Sequence, residues 1–237
     1  MTTLRKGDFI EVDYTGRLAT NGAVFDTTSE ELAKKEGIAN PRMAYGRVTI
    51  CIGEGHLIKG LDAHLEGKET GKEYAVDIPA EQAFGKKSAR LVELIPITKF
   101  KAQGVTPRQG LAVNVDGKYG EVKRAAGGRV LVDFNHPLAG QDVNYTVNIH
   151  RKVDDPAEQV KAVLAIRLNM HDIDVDVQDG KATIHGEGLG KLPDEFVRHV
   201  CTQLRTIIPS LETMAFADKK STPKGGEKHK EKKGEDK

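Results

Sequence analysis

A chain of 237 residues with 36 Lys and Arg against 35 Asp and Glu, for a net charge of +1, has no overall excess of positive charge with which to hold a nucleic-acid backbone. With 30% charged residues and a mean hydropathy of −0.46 it reads as a soluble protein. No apolar run is long enough to span a bilayer and "MTTLRKGDFIEVDY" lacks the apolar stretch of a secretory signal, so a cytoplasmic protein without membrane or nucleic-acid partners is expected.

The chain opens with "DFIEVDYTGRL", in which Ile10, Val12 and Tyr14 alternate with Glu11, Asp13 and Thr15, the pattern of a half-buried antiparallel strand. Asn21-Gly22 predicts a tight turn into a returning strand, "AVFD". Thr28 and Glu31 stand at capping-box spacing ahead of a short helix over 29–36, which Gly37 ends. "RVTICIG" predicts a strand with Cys51 as an ordinary semi-buried thiol, and "LIKGLDAHL" a short helix over 57–65. "KEYAVDIP" alternates again until Pro79, which cannot donate to a ladder.

From about Lys86 the texture changes to β-rich runs broken by Gly, Pro and Asp-Gly turns, a small mostly-β module. The period-2 texture resumes in "DVNYTVNIHRKV", so residues 86–134 read as an insertion into a domain that this strand closes. Asp154-Asp155-Pro156 then starts a helix over 156–168, followed by a strand, an Asp179-Gly180 turn, a second strand, a helix over 193–208 and a last strand, "SLETMAF". Phe196, Val200, Leu204 and Ile208 form one apolar stripe on the second helix, a core face whose end also suits a partner. The final stretch, with eight Lys, five acidic groups and almost nothing apolar, is expected to be disordered.

Motifs for conventional chemistry are missing. Cys51 and Cys201 lie far apart without CxxC spacing, and the eight histidines are scattered, which predicts neither a disulfide nor a metal site. "GEGLGK" and "GEGH" lack the strand-to-helix context of phosphate loops and read as turns. Asn135, His136 and Asp142, in the loop before the closing strand, have no nucleophile beside them. Residues 135–140 read as a hinge, with a contact to bound peptide.

In chain order, "VDYTGRL", "VFDTT", "IGEGHLIKGLDAHLEGKETGKEYAVDIPAEQAFG" and "LAGQDVNYTVNI" resemble the signature segments of FKBP-type peptidyl-prolyl cis/trans isomerases. The splice between "AFG" and the final strand is similar to the insert-in-flap chaperone module of the SlyD-like branch, and the segment beyond 153 to the extra domain of its long archaeal forms. The resemblance implies an α+β fold. An FKBP-like antiparallel sheet wrapped on a short helix (1–86 and 134–153) is interrupted by the insert (87–133) and followed by a small α+β domain (154–217) and the tail (218–237).

The same resemblance implies a proline pocket with Leu61 as floor and Tyr14, Phe25, Val48, Leu57, Ile58, Phe84 and Tyr145 as walls. The Ile58 N–H would hold the substrate carbonyl, and Asp26 with the Tyr14 hydroxyl would form the polar rim. Many members have Trp at the floor and this chain has none, which weakens the expectation of macrolide binding. The apolar strand residues Val92, Leu94, Ile95, Ile97 and Phe100 of the insert would bind clients, unfolded or nascent chains with Xaa-Pro bonds; the other reading makes about half of them the insert's own core. No cofactor is implied, and with only His229 in the tail no nickel-handling role is carried over. A homodimer through the C-terminal domain is a further expectation. The rival function is a non-catalytic holdase or adaptor that binds Pro-containing segments.

Overall fold

The computed structural model describes residues 3–219 and divides into two compact units, Met1–Asp154 and Asp155–Lys237. From Lys220 on, the tail lies outside the described residues. Among the described residues no helix is long and apolar enough to cross a membrane.

The first unit begins with β1 (Phe9–Leu18), β2 (Val24–Thr27), α1 (Glu30–Lys35), β3 (Val48–Cys51), α2 (Lys59–Leu65) and β4 (Lys72–Ile78). An insert follows with β5 (Val92–Pro96), α3 (Ile97–Ala102), β6 (Ala112–Val115), β7 (Lys118–Ala126) and β8 (Arg129–Asp133), and β9 (Val143–Lys152) closes the unit. The main sheet is antiparallel in the order β2-β1-β9-β4, with β3 paired to the first half of β1. Alternation puts Ile10, Val12, Val147 and Ile149 on its inner face, where Leu61 and Leu65 of α2 complete the core. Gly60 lets the helix come this close: a Cβ there would stand 2.4 Å from Ile78 Cγ2.

The insert has a sheet of its own, β5-β8-β7-β6, and its own core of Ile95, Phe100, Val113, Val115, Val122, Val130 and Val132. Two connecting segments tie it to the main body. Asn135 Oδ1 accepts the Ser88 N–H at 2.8 Å, its Nδ2 donates to the Ser88 carbonyl at 3.0 Å, and the Gly140 N–H donates to Gly85 O at 2.7 Å.

In the second unit, α4 (Pro156–Leu168) and α5 (Asp194–Ile207) accompany β10 (Asp174–Gln178), β11 (Lys181–Gly186) and β12 (Thr213–Asp218). The Asp155 side chain caps α4 by accepting the Ala157 N–H, and Asn169 ends it in the left-handed region. β10 and β11 form the hairpin expected at Asp179-Gly180, while α5 provides the crossover that lets β12 run parallel to β11. Val200, Leu204 and Ile208 of the apolar stripe are buried; Phe196, at its end, is exposed.

Two local expectations need correction. The cap of α1 is Ser29, whose side chain accepts the Leu32 N–H, because Thr28 is engaged elsewhere: its hydroxyl accepts the Tyr14 N–H. And "ITKFKA" is helix, not strand, so Ile97 and Phe100 are presented from α3.

Candidate active site

Asp26 in β2, Gly16 in β1 and Tyr145 in β9 are cross-strand partners, one beside the next. Gly16 has no side chain to stand between its neighbours. A Cβ there would meet Phe25 Cζ and Tyr145 Cζ at 2.8 Å each. The two rings therefore close over the glycine, with centroids 5.7 Å apart and planes at 84°. In this position the Tyr145 hydroxyl donates to Asp26 Oδ2 at 3.2 Å.

Further rings extend the wall on both sides. Tyr14 lies 5.8 Å from Tyr145, and Phe84 meets Phe25 edge to face at 5.6 Å. Edge-to-face contacts satisfy the ring quadrupoles and hold the wall in one arrangement. His136 stacks on Phe84 at 4.7 Å and 2°. Leu61 lies fully buried in the core, and Val48, Leu57 and Ile58 pack at its margin with Tyr14, Phe25 and Phe84. Of the nine residues assigned to the pocket from the resemblance, Tyr14, Phe25, Asp26, Phe84 and Tyr145 are thus joined by direct contacts, and Val48, Leu57, Ile58 and Leu61 belong to or pack against the same core.

The polar supports are specific. The segment after Asp26 is fixed by buried threonines: the Thr28 N–H donates to Tyr14 O at 3.0 Å, and the Thr15 and Thr27 hydroxyls share a hydrogen bond at 3.0 Å. On the opposite side, Asp62, 8% exposed, accepts the Gly53 N–H at 2.9 Å and the Gly55 N–H at 3.4 Å. It thereby fastens the loop that delivers Leu57 and Ile58. Ile58 is the N-cap residue of α2, where helix geometry leaves an N–H without an intrahelical acceptor.

Burial raises the Asp26 carboxyl above the ordinary range, against the lowering effect of the Tyr145 hydroxyl and the Thr27 backbone. Burial, reinforced by the Asp26 charge, pushes Tyr14 up to about 12, and the same causes raise Tyr145 further. Both phenols stay protonated as donors. The arrangement offers an apolar wall, one carboxylate and fixed hydroxyl donors, with no nucleophile and base aligned for bond cleavage.

Comparison with known proteins bears on this arrangement. Residues 1–100 match the model of the FKBP-type peptidyl-prolyl cis-trans isomerase family, and residues 93–138 match the FKBP26, IF domain. The chain is 34% identical over 146 residues to the short-type peptidyl-prolyl cis-trans isomerase of Methanocaldococcus jannaschii, covering 62% of this chain and 92% of that one. The chain belongs to the FKBP-type peptidyl-prolyl cis-trans isomerase family. This isomerase is also 37% identical over 102 residues to the FKBP-type peptidyl-prolyl cis-trans isomerase SlyD of Vibrio cholerae, covering 41% of this chain and 50% of that one. It is 32% identical over 103 residues to the FKBP-type 16 kDa isomerase of Escherichia coli, 41% of this chain and 68% of that one.

Three features of the site went unread in the sequence. Gly16 separates the two rings, Asp62 fastens the loop, and the hydroxyl that meets Asp26 is that of Tyr145, expected only as a wall, whereas the expected rim hydroxyl was that of Tyr14. Among the insert residues expected to bind clients, Ile95 and Phe100 are corrected: they are buried in the insert's own core, and Ile97 packs against it. Val92 is half-buried and Leu94 is exposed.

Proposed function

We propose that this isomerase works on unfolded or nascent chains, which its insert captures and its ring-walled pocket isomerises. The barrier to rotation about a peptide bond is about 18–20 kcal/mol, because resonance gives the C–N bond double-bond character. The twisted transition state gives up that resonance, and a dry apolar wall favours it over the planar ground state. Tyr14, Phe25, Phe84 and Tyr145 supply the wall, and the Ile58 N–H takes the substrate carbonyl. Asp26, held by Tyr145, interacts with the changing amide dipole without giving up a proton.

The observation that carries the chaperone part is Leu94. It is 60% exposed on β5, while its neighbour Ile95 fills the insert's core, so the fold of the insert does not need it. Leu91 is exposed close by in the chain. Replacing both by Ser is expected to reduce suppression of aggregation and to lower catalysis of proline-limited refolding relative to catalysis on an Xaa-Pro tetrapeptide. An unchanged ratio with undiminished suppression refutes client capture by this face.

Self-association of the second unit is part of the same proposal, supported by the exposed Ile166 of α4 and Phe196 of α5. Sedimentation is expected to give twice the chain mass, reduced by Phe196→Ser; a monomeric parent protein removes this element.

A further inference from the structure

Phe84 has two aromatic neighbours: Phe25, edge to face within the proline pocket, and His136, stacked against it at 4.7 Å. His136 also lines a cleft of about 310 Å³ together with Lys87, Tyr119, Glu121, Lys123 and Asn135. The pair Phe84–His136 is therefore a shared partition, with the pocket on one side and the cleft on the other.

The cleft is built, not merely left between two modules. Asn135 on its wall uses both ends of its amide, accepting from and donating to Ser88 and donating to Asp133 Oδ1 at 2.7 Å. His136 Nδ1 accepts the Leu138 N–H at 3.2 Å, which leaves the ring flat against Phe84. The charges of the cleft are balanced, Lys87 and Lys123 against Glu121 and Asp133, with Lys123 paired to Glu121 at 2.8 Å, so it has no character of an anion site. Tyr119 projects from β7 at the cleft and is 80% exposed, a large ring that takes no part in the insert's own core.

We propose that this cleft is a second binding site for the chain being isomerised: the segment that leaves the proline pocket crosses Phe84 and His136 and lays an aromatic side chain against Tyr119. The inference rests on the reading that the substrate is an unfolded polypeptide. A polypeptide is the occupant because the cleft continues the pocket through one shared pair of rings. An extended chain advances about 3.3 Å per residue, so the anchoring side chain belongs at one fixed spacing from the proline. The site would give the enzyme a preference for sequence at a distance from the bond it turns.

The test uses the full-length protein. Isomerisation rates are measured for an Xaa-Pro tetrapeptide and for longer peptides that carry the same Xaa-Pro bond and one Phe moved residue by residue along either flank. One spacing is expected to raise kcat/KM about three- to tenfold through KM, the effect of a single aromatic contact, and Tyr119→Ser is expected to abolish that gain. A gain independent of the spacing, or one that survives Tyr119→Ser, overturns the proposal. So does a gain lost in Leu94→Ser and kept in Tyr119→Ser, which assigns the contact to the outer face of the insert. Binding of an unfolded protein by the parent enzyme is measured in parallel. Its absence removes the polypeptide reading itself, whereas its presence with an indifferent Tyr119 removes only the cleft.

Discussion

The Tyr145 hydroxyl donates to the Asp26 carboxylate at 3.2 Å although the two residues are 119 positions apart in the chain. Tyr145 therefore makes two kinds of contact: its ring packs against Phe25 and Tyr14, and its hydroxyl holds the only carboxylate among the residues assigned to the pocket.

Tyr145→Phe separates them. The ring and its contacts with Phe25 and Tyr14 remain, and Asp26 loses the bond that opposes its burial. In a protease-coupled assay kcat/KM is expected to fall about three- to tenfold, the effect of one hydrogen bond of roughly 1 kcal/mol. Unchanged activity would mean that Asp26 needs no orientation.

Asp26→Asn is expected to stabilise the protein while reducing its activity. The folded protein holds the Asp26 carboxyl above its ordinary value of 3.8. The folded state thus binds a proton more readily than the unfolded chain, and this contribution to stability is fully present below 3.8 and disappears as pH rises through the folded value. At neutral pH the wild-type protein carries a buried carboxylate that Asn does not. The excess of the variant's Tm over the wild type's should accordingly grow from acid to neutral pH; a constant difference would contradict the raised carboxyl.

Gly16→Ala places a methyl group where two rings already meet. With contacts of 2.8 Å to both Phe25 and Tyr145, neither ring can keep its place, and overpacking of this kind costs about 1–3 kcal/mol. Loss of activity should accompany a lowered Tm, and wild-type behaviour in both would show that the rings can yield.

How much of this was readable in advance depended on range. β1, β9 and α4 were legible because alternation and capping are local: Ile10, Val12 and Tyr14 mark their own face, and Asp155-Pro156 marks its own helix start. The insert was legible as a change of texture, but α3 was not, since Ile97 and Phe100 also fit a strand in so short an apolar run. Thr28 was expected as the cap from its spacing to Glu31, but tertiary contacts draw it to Tyr14 and leave the cap to Ser29. The resemblance gathered the pocket residues, yet the Tyr145–Asp26 bond and the part played by Gly16 arise from the register of three strands distant in sequence, which no local pattern encodes.

The paired Ser88 and Asn135 have a consequence for the history of the chain. The polypeptide departs for the insert and returns from it at a single doorway, where Phe134 N–H also meets Leu91 O at 2.8 Å. A loop whose ends already touch can lengthen or shorten at an entropic cost that grows only with the logarithm of its length. The segment beyond that doorway can change in length and sequence while Phe84 and Tyr145 stay where they are.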